Sequence, residues 1–128
     1  IATDHAPHSA EEKSRGLEDS LMGIVGLECA FPALYTGLVK SGRLSLEKLV
    51  EKMASAPAGR FGVGMGEIRD GGDADLCVFD LDSEYVIDAE RFQSKGKSTP
   101  FDGMRVFGKC VVTIKKGNVI WRGNLTEK

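Results

Sequence analysis

Five glycines, Gly62, Gly64, Gly66, Gly71 and Gly72, crowd into eleven residues in the middle of the chain. Glycine loses more backbone freedom on ordering than any other residue, so neither a helix nor a strand is expected to cross such a stretch. Hydrophobic residues recur with helical spacing before it and follow strand patterning after it. The glycines therefore mark a change of architecture, and a domain boundary is placed there. Residues 1–62 are expected to be mainly helical and residues 63–128 rich in β-structure.

Leu27, Phe31, Leu34 and Leu38 form one stripe at helical spacing, flanked by Ala30, Tyr35 and Val39. Pro32 suits a first turn, so the regular helix is expected to begin near Glu28 to Phe31 and to stop at Gly42. Ser45 is placed to cap a second helix whose stripe is Leu46, Leu49, Val50 and Met53. Pro57 opens a short helical turn that ends at Gly62.

After the glycines, strands are predicted over residues 75–80, 85–88, 106–115 and 119–122, with a hairpin turn at Lys116-Gly117-Asn118. Residues 106–114 are apolar on both faces, which suits a central strand. Residues 89–104 form a long polar connection, and such a connection in a compact domain is usually functional or packed on a neighbour. Asp73, Asp75 and Asp80 do not make a metal cluster. Asp80 falls on the opposite strand face from the other two, and no histidine accompanies them. Turn or ion-pair roles are expected for these three.

The chemistry concentrates at the start, in Ile1-Ala2-Thr3-Asp4-His5-Ala6-Pro7-His8. It reads as the end of a buried strand breaking into a loop. Both histidines of the chain lie within four residues of Asp4. Such a trio serves acid–base or metal chemistry, or equally forms a plain turn with surface imidazoles. Residues 9–20 are polar, with Glu11, Glu12, Lys13, Ser14, Arg15, Glu18 and Asp19, and predict a solvated loop with Gly16 as pivot.

The bulk numbers exclude several classes. With 128 residues the chain suffices for one domain with a modest core, and a net charge of −2 gives no electrostatic case for nucleic acid or an anionic membrane surface. No apolar run approaches the roughly 20 residues of a membrane span, and no signal peptide is visible. Cys29, Cys77 and Cys110 are odd in number and widely spaced. They predict buried free thiols and a reducing cytoplasm rather than a disulfide framework.

Thr3-Asp4-His5-Ala6-Pro7-His8, then Glu11-Glu12-Lys13, then Met22-Gly23-Ile24-Val25-Gly26-Leu27-Glu28, resembles the C-terminal part of a dihydroorotase. Gly66-Glu67-Ile68 with Gly72-Asp73-Ala74-Asp75-Leu76 is similar to the closing signature of cyclic amidohydrolases generally. Ser94-Lys95 with Ser98-Thr99-Pro100-Phe101-Asp102-Gly103 resembles a late loop of the same family. The resemblance runs to about residue 123. It implies an α/β fold: the C-terminal part of a (β/α)8 TIM-like metal-dependent hydrolase barrel plus a small β-sandwich domain. A whole barrel needs about 250 residues, and the chain starts mid-strand without Met. It is therefore expected to be a portion of such an enzyme, inactive alone.

The implied reaction is the zinc-dependent, reversible cyclisation of N-carbamoyl-L-aspartate to (S)-dihydroorotate in pyrimidine biosynthesis. By resemblance, Asp4 is both a zinc ligand and the general base, His8 binds substrate, and Met22 and Gly23 offer it backbone contacts. His5 has no such counterpart and is read as a hydrogen-bonder that orients Asp4. The family's other metal ligands, a His-x-His pair among them, are absent from the 128 residues. Expected partners are a small-molecule substrate, the remaining N-terminal part of the barrel and a second copy in a homodimer or other homo-oligomer. Two alternatives stay open: another cyclic amidohydrolase (an allantoinase or a hydantoinase/dihydropyrimidinase), and a non-catalytic dihydroorotase-like subunit.

Overall fold

The computed structural model describes residues 1–64 and 66–123. The part of the predicted β-rich domain at 65 and 124–128 lies outside them.

Two short helices come first, α1 (Ala10–Lys13) and α2 (Gly16–Asp19). The polar loop expected over residues 9–20 is thus corrected. Ser9 and Glu12 build a reciprocal cap: Ser9 Oγ accepts from Glu12 N at 3.2 Å, and Glu12 Oε2 accepts from Ser9 N at 2.8 Å. Two donors that a helix start leaves unpaired are satisfied, enough to fold one turn without an apolar stripe.

Helix α3 (Ala30–Leu34) widens into a π turn over Tyr35–Val39, where Lys40 N bonds Tyr35 O at 2.9 Å. Helix α4 (Leu46–Val50) starts on Ser45, whose hydroxyl accepts from Lys48 N as expected. It passes through a π turn over Glu51–Ser55 into α5 (Ala56–Phe61), which ends with Gly62 in the left-handed conformation. Leu49 is fully buried, but Leu27 and Val50 are exposed, so the core stripe is narrower than its sequence pattern.

Three strands form one antiparallel sheet in the order β1–β2–β3: β1 (Leu76–Val86), β2 (Arg105–Lys115) and β3 (Asn118–Arg122). β2 is central, as its two-sided apolar pattern requires. The predicted strands 75–80 and 85–88 merge into β1, whose register shifts between Asp80 and Glu84. Asp80 fills that irregularity by accepting from the N–H groups of Asp82 and Ser83. Lys116 and Gly117 both take positive φ in the last turn, the backbone a tight two-residue hairpin needs. Asp75 closes the same end, paired with Lys115 Nζ and accepting from Lys116 N at 2.7 Å.

Helix and sheet meet through aromatic rings. Phe31 stacks on Phe79 with centroids 3.9 Å apart. Gly108 lies beneath, and a Cβ there would stand 3.0 Å from Phe31 Cε1, so only glycine lets the helix sit this close to β2. Thr36 Oγ1 accepts from Phe107 N at 2.8 Å and locks the same contact. The buried cluster is Cys29, Ile87 and Val106, walled by Tyr85, Phe92 and Phe101. Burial lifts the Tyr85 phenol to about 12.

Two features differ from expectation. Among the described residues there is one sheet, not the two a sandwich requires. The opening residues make no barrel strand, only an isolated parallel bridge between His5 and Ile24. A strand is defined by the neighbours that pair its backbone groups, and among the described residues the only such bond from residues 1–4 is Ile1 N to Lys52 O at 3.1 Å, at a helix rather than a strand. Of the three thiols, Cys29 is buried, Cys110 half-buried and Cys77 exposed, which corrects the expectation that all three are buried.

Candidate functional site

The chain doubles back between residues 5 and 24. Ala6 N bonds Ile24 O at 3.0 Å, drawing residues 4–8 alongside residues 22–26. Gly23 makes this approach feasible. Its φ is +132°, and an added Cβ would stand 2.6 Å from Ala6 O and 2.7 Å from Ala6 Cβ. No side chain fits there.

Asp4 itself has φ +46°. Outside glycine this left-handed backbone is uncommon and costs about 1 kcal/mol, and aspartate is among the residues that tolerate it. Its side chain is exposed and, among the described residues, bonded to nothing. A strained carboxylate left open to solvent is the kind of feature that active sites retain.

His5 does not orient Asp4. Its Nδ1 accepts from Gly26 N at 3.2 Å and, more weakly, from Leu27 N at 3.4 Å, so the ring pins the start of the following segment instead. Those partners lie over twenty residues away in sequence, and composition near His5 carries no sign of them.

His8, Met22 and Gly23 come together. His8 Nε2 lies 2.8 Å from Met22 O. A carbonyl only accepts, so Nε2 carries the hydrogen. His8 Nδ1 is then left facing Glu12 Oε2 at 3.7 Å. Glu12 is held below the usual carboxylate range, first by the Ser9 backbone N–H and then by the Ser9 hydroxyl. Among the described residues, no hydrogen bond uses the N–H of Met22 or of Gly23. Asp4 makes no hydrogen bond to any of these three.

Sequence reasoning missed two supports. Lys13 Nζ donates to Leu21 O at 2.9 Å and to Gly23 O at 3.1 Å, spanning Met22. The long 89–104 connection lies directly on the site. Gly96 is buried, and a Cβ on it would meet Pro7 Cβ at 2.9 Å and His8 O at 3.0 Å. Ser98 O accepts from the buried Val25 N at 2.8 Å. Glu28 holds the connection by accepting from Gln93 N at 2.8 Å and Ser94 N at 3.0 Å. The connection's length was the available signal.

The donor set does not fit a zinc ion by itself. Zinc takes about four protein or water ligands. Among the described residues no group of three or more His, Cys, Asp and Glu side chains converges. His5 and His8 both spend a ring nitrogen on the backbone. No helix among the described residues is long and apolar enough to cross a membrane.

No protein-family profile matches the chain. It is 48% identical over 122 residues to a dihydroorotase of Bacillus cytotoxicus, covering 95% of this chain and 28% of that protein. A dihydroorotase of Bacillus thuringiensis matches with the same identity and coverage. The chain thus spans little more than a quarter of the curated relatives' length. Among solved structures, an L-hydantoinase (dihydropyrimidinase) from Arthrobacter aurescens superposes with a TM-score of 0.85 at 41% identity, over 98% of this chain and 29% of that one. A dihydropyrimidinase from Brevibacillus agri reaches a TM-score of 0.85 at 27% identity, over 93% of this chain and 27% of that one.

Proposed function

We propose that this chain is the C-terminal portion of a dihydroorotase, a cyclic amidohydrolase that interconverts N-carbamoyl-L-aspartate and (S)-dihydroorotate. The observation that carries the reading is the folded constellation itself: an open, strained Asp4 beside a His8–Met22–Gly23 cluster, in a segment similar to curated dihydroorotases over nearly its whole length.

In the hydrolytic direction, water adds to the ring carbonyl, the C–N bond breaks and the ring nitrogen gains a proton. Asp4 takes the proton from the attacking water and returns it to the departing nitrogen, and cyclisation runs the same transfers in reverse. The free N–H groups of Met22 and Gly23 donate to the substrate, and His8 grips its carboxylate. Zinc remains part of the proposal, with Asp4 as one ligand; among the described residues no three or more donors converge to complete its shell. The boundary at residues 62/63 is likewise retained as the division between barrel and appended domain. The three unpaired cysteines support a cytoplasmic setting.

The test uses the full-length parent enzyme. Asp4→Asn is expected to lower kcat by about 10²–10⁴-fold, the usual worth of a general base. Full turnover by that variant overturns the reading.

The 41% identity to an L-hydantoinase favours a second reading, a hydantoin or dihydropyrimidine ring as substrate. His8 discriminates, because an anion-gripping imidazole serves a ring that carries a carboxylate. His8→Ala is expected to raise KM for dihydroorotate with a smaller change in kcat. An unchanged KM, with turnover of hydantoins by the parent, favours the rival.

A further inference from the structure

We propose that Lys13 is the positioning residue for His8, acting through the Met22 carbonyl to fix which ring nitrogen carries the hydrogen. Its ammonium joins Leu21 O to Gly23 O. The carbonyl between them, Met22 O, is thereby held against His8 Nε2. A single peptide unit on either side of Met22 has little freedom left once both of its flanking carbonyls are tied. Gly23 cannot supply this rigidity, since its backbone is permissive. The His8 backbone is fixed separately, with Gly96 of the late connection packed on it.

The arrangement selects the Nε2–H tautomer and leaves Nδ1 as the nitrogen without the hydrogen, facing Glu12 Oε2 at 3.7 Å. In that tautomer a neutral ring presents a lone pair at Nδ1, which repels a carboxylate. A ring that also carries hydrogen at Nδ1 presents a donor there instead. Lys13 thus sets the face His8 shows to a substrate. This consequence rests on the reading of His8 given above, but the tautomer assignment does not.

The experiment needs no substrate. Long-range proton–nitrogen correlation spectra of the 15N-labelled chain report the tautomer of both histidines while the rings are neutral. His8 is expected as Nε2–H in the parent. In Lys13→Met its ratio of Nε2–H to Nδ1–H is expected to fall by about fivefold, the worth of one net hydrogen bond. Lys13→Arg, which can still span two carbonyls, is expected to restore it.

His5 is the internal control, because its Nδ1 accepts from Gly26 N independently of Lys13. A Lys13→Met chain with His5 unchanged and His8 still wholly Nε2–H overturns the proposal. Should Lys13→Met disturb His5 as well, the arginine variant decides. His5 restored without His8 also overturns the proposal, and both restored supports it. Failure here leaves the Asp4 test untouched, and failure of that test leaves the tautomer result standing.

Discussion

Gly23 occupies a point where one methyl group would collide with both the carbonyl and the side chain of Ala6. Its φ of +132° is also closed to other residues. Gly23→Ala is therefore expected to lower unfolding stability by about 2 kcal/mol or more, from backbone strain and overpacking together. The urea midpoint reads this directly, and an unshifted midpoint would mean the 5–24 crossing is not held as described. The thiols offer a second residue-scale outcome. Burial pushes the Cys29 thiol above its ordinary range, with partial relief from Thr99, and burial likewise raises Cys110. Thiolate is the reactive form. Iodoacetamide is expected to modify the exposed Cys77 first, and Cys29 only when the chain unfolds; peptide mass spectrometry gives the order. At this scale the sequence was informative about types and silent about partners. Asp4, His8, Met22 and Gly23 were legible as a motif. That His5 would bond Gly26 across 21 residues was not, because the contact is made by the tertiary crossing alone.

Elements were legible wherever local chemistry decides them. Ser45 caps α4, Gly62 ends α5, and Lys116-Gly117 turns the last hairpin, each by a preference of its own backbone or side chain. The misses have equally local reasons. The Ser9–Glu12 box folds one turn without an apolar stripe, so periodicity passes over it. The Asp80–Ser83 irregularity breaks the alternation inside β1, so one strand reads as two. The hairpin end yields a pH prediction. Lys115 first, and the Lys116 N–H second, hold the Asp75 carboxyl below its ordinary range. The unfolded chain then binds this proton more readily than the folded one. The contribution of the pair is fully present above the free aspartate value of about 3.9, and it is lost as pH falls through the lower folded value. Asp75→Asn is expected to be less stable than the parent near pH 7, with the gap closing on acidification. Paired urea titrations at several pH values check this; a gap independent of pH would show that the carboxylate charge contributes nothing.

At the scale of the whole molecule, the unusual feature is how much large apolar surface stays open. Leu17 is 98% exposed, Met22 and Ile68 88%, and Phe61 79%. Isolated exposed apolar side chains are ordinary, but several on one small chain are a driving force for association. Sheet topology adds to it, since among the described residues β1 and β3 form the two edges of the sheet, and an edge strand is a template for pairing with another chain. In the relatives, this length of chain is little more than a quarter of the protein, and a longer polypeptide would have other surfaces to lay against these residues. The 128-residue chain has only a second copy of itself. Sedimentation velocity across a dilution series is therefore expected to show reversible self-association that weakens when Leu17 and Phe61 are both replaced by serine. A strictly monomeric chain at every concentration would mean that these side chains are covered by local rearrangement instead. The same incompleteness bears on chemistry. Among the described residues no group of three or more His, Cys, Asp and Glu side chains converges, so Asp4 gains little by holding zinc. Zinc titration followed by calorimetry is accordingly expected to show only weak binding to this chain, unaltered by Asp4→Asn, and no dihydroorotate turnover should accompany it. Tight binding that Asp4→Asn abolishes would reverse the conclusion, and would place a complete site within these residues.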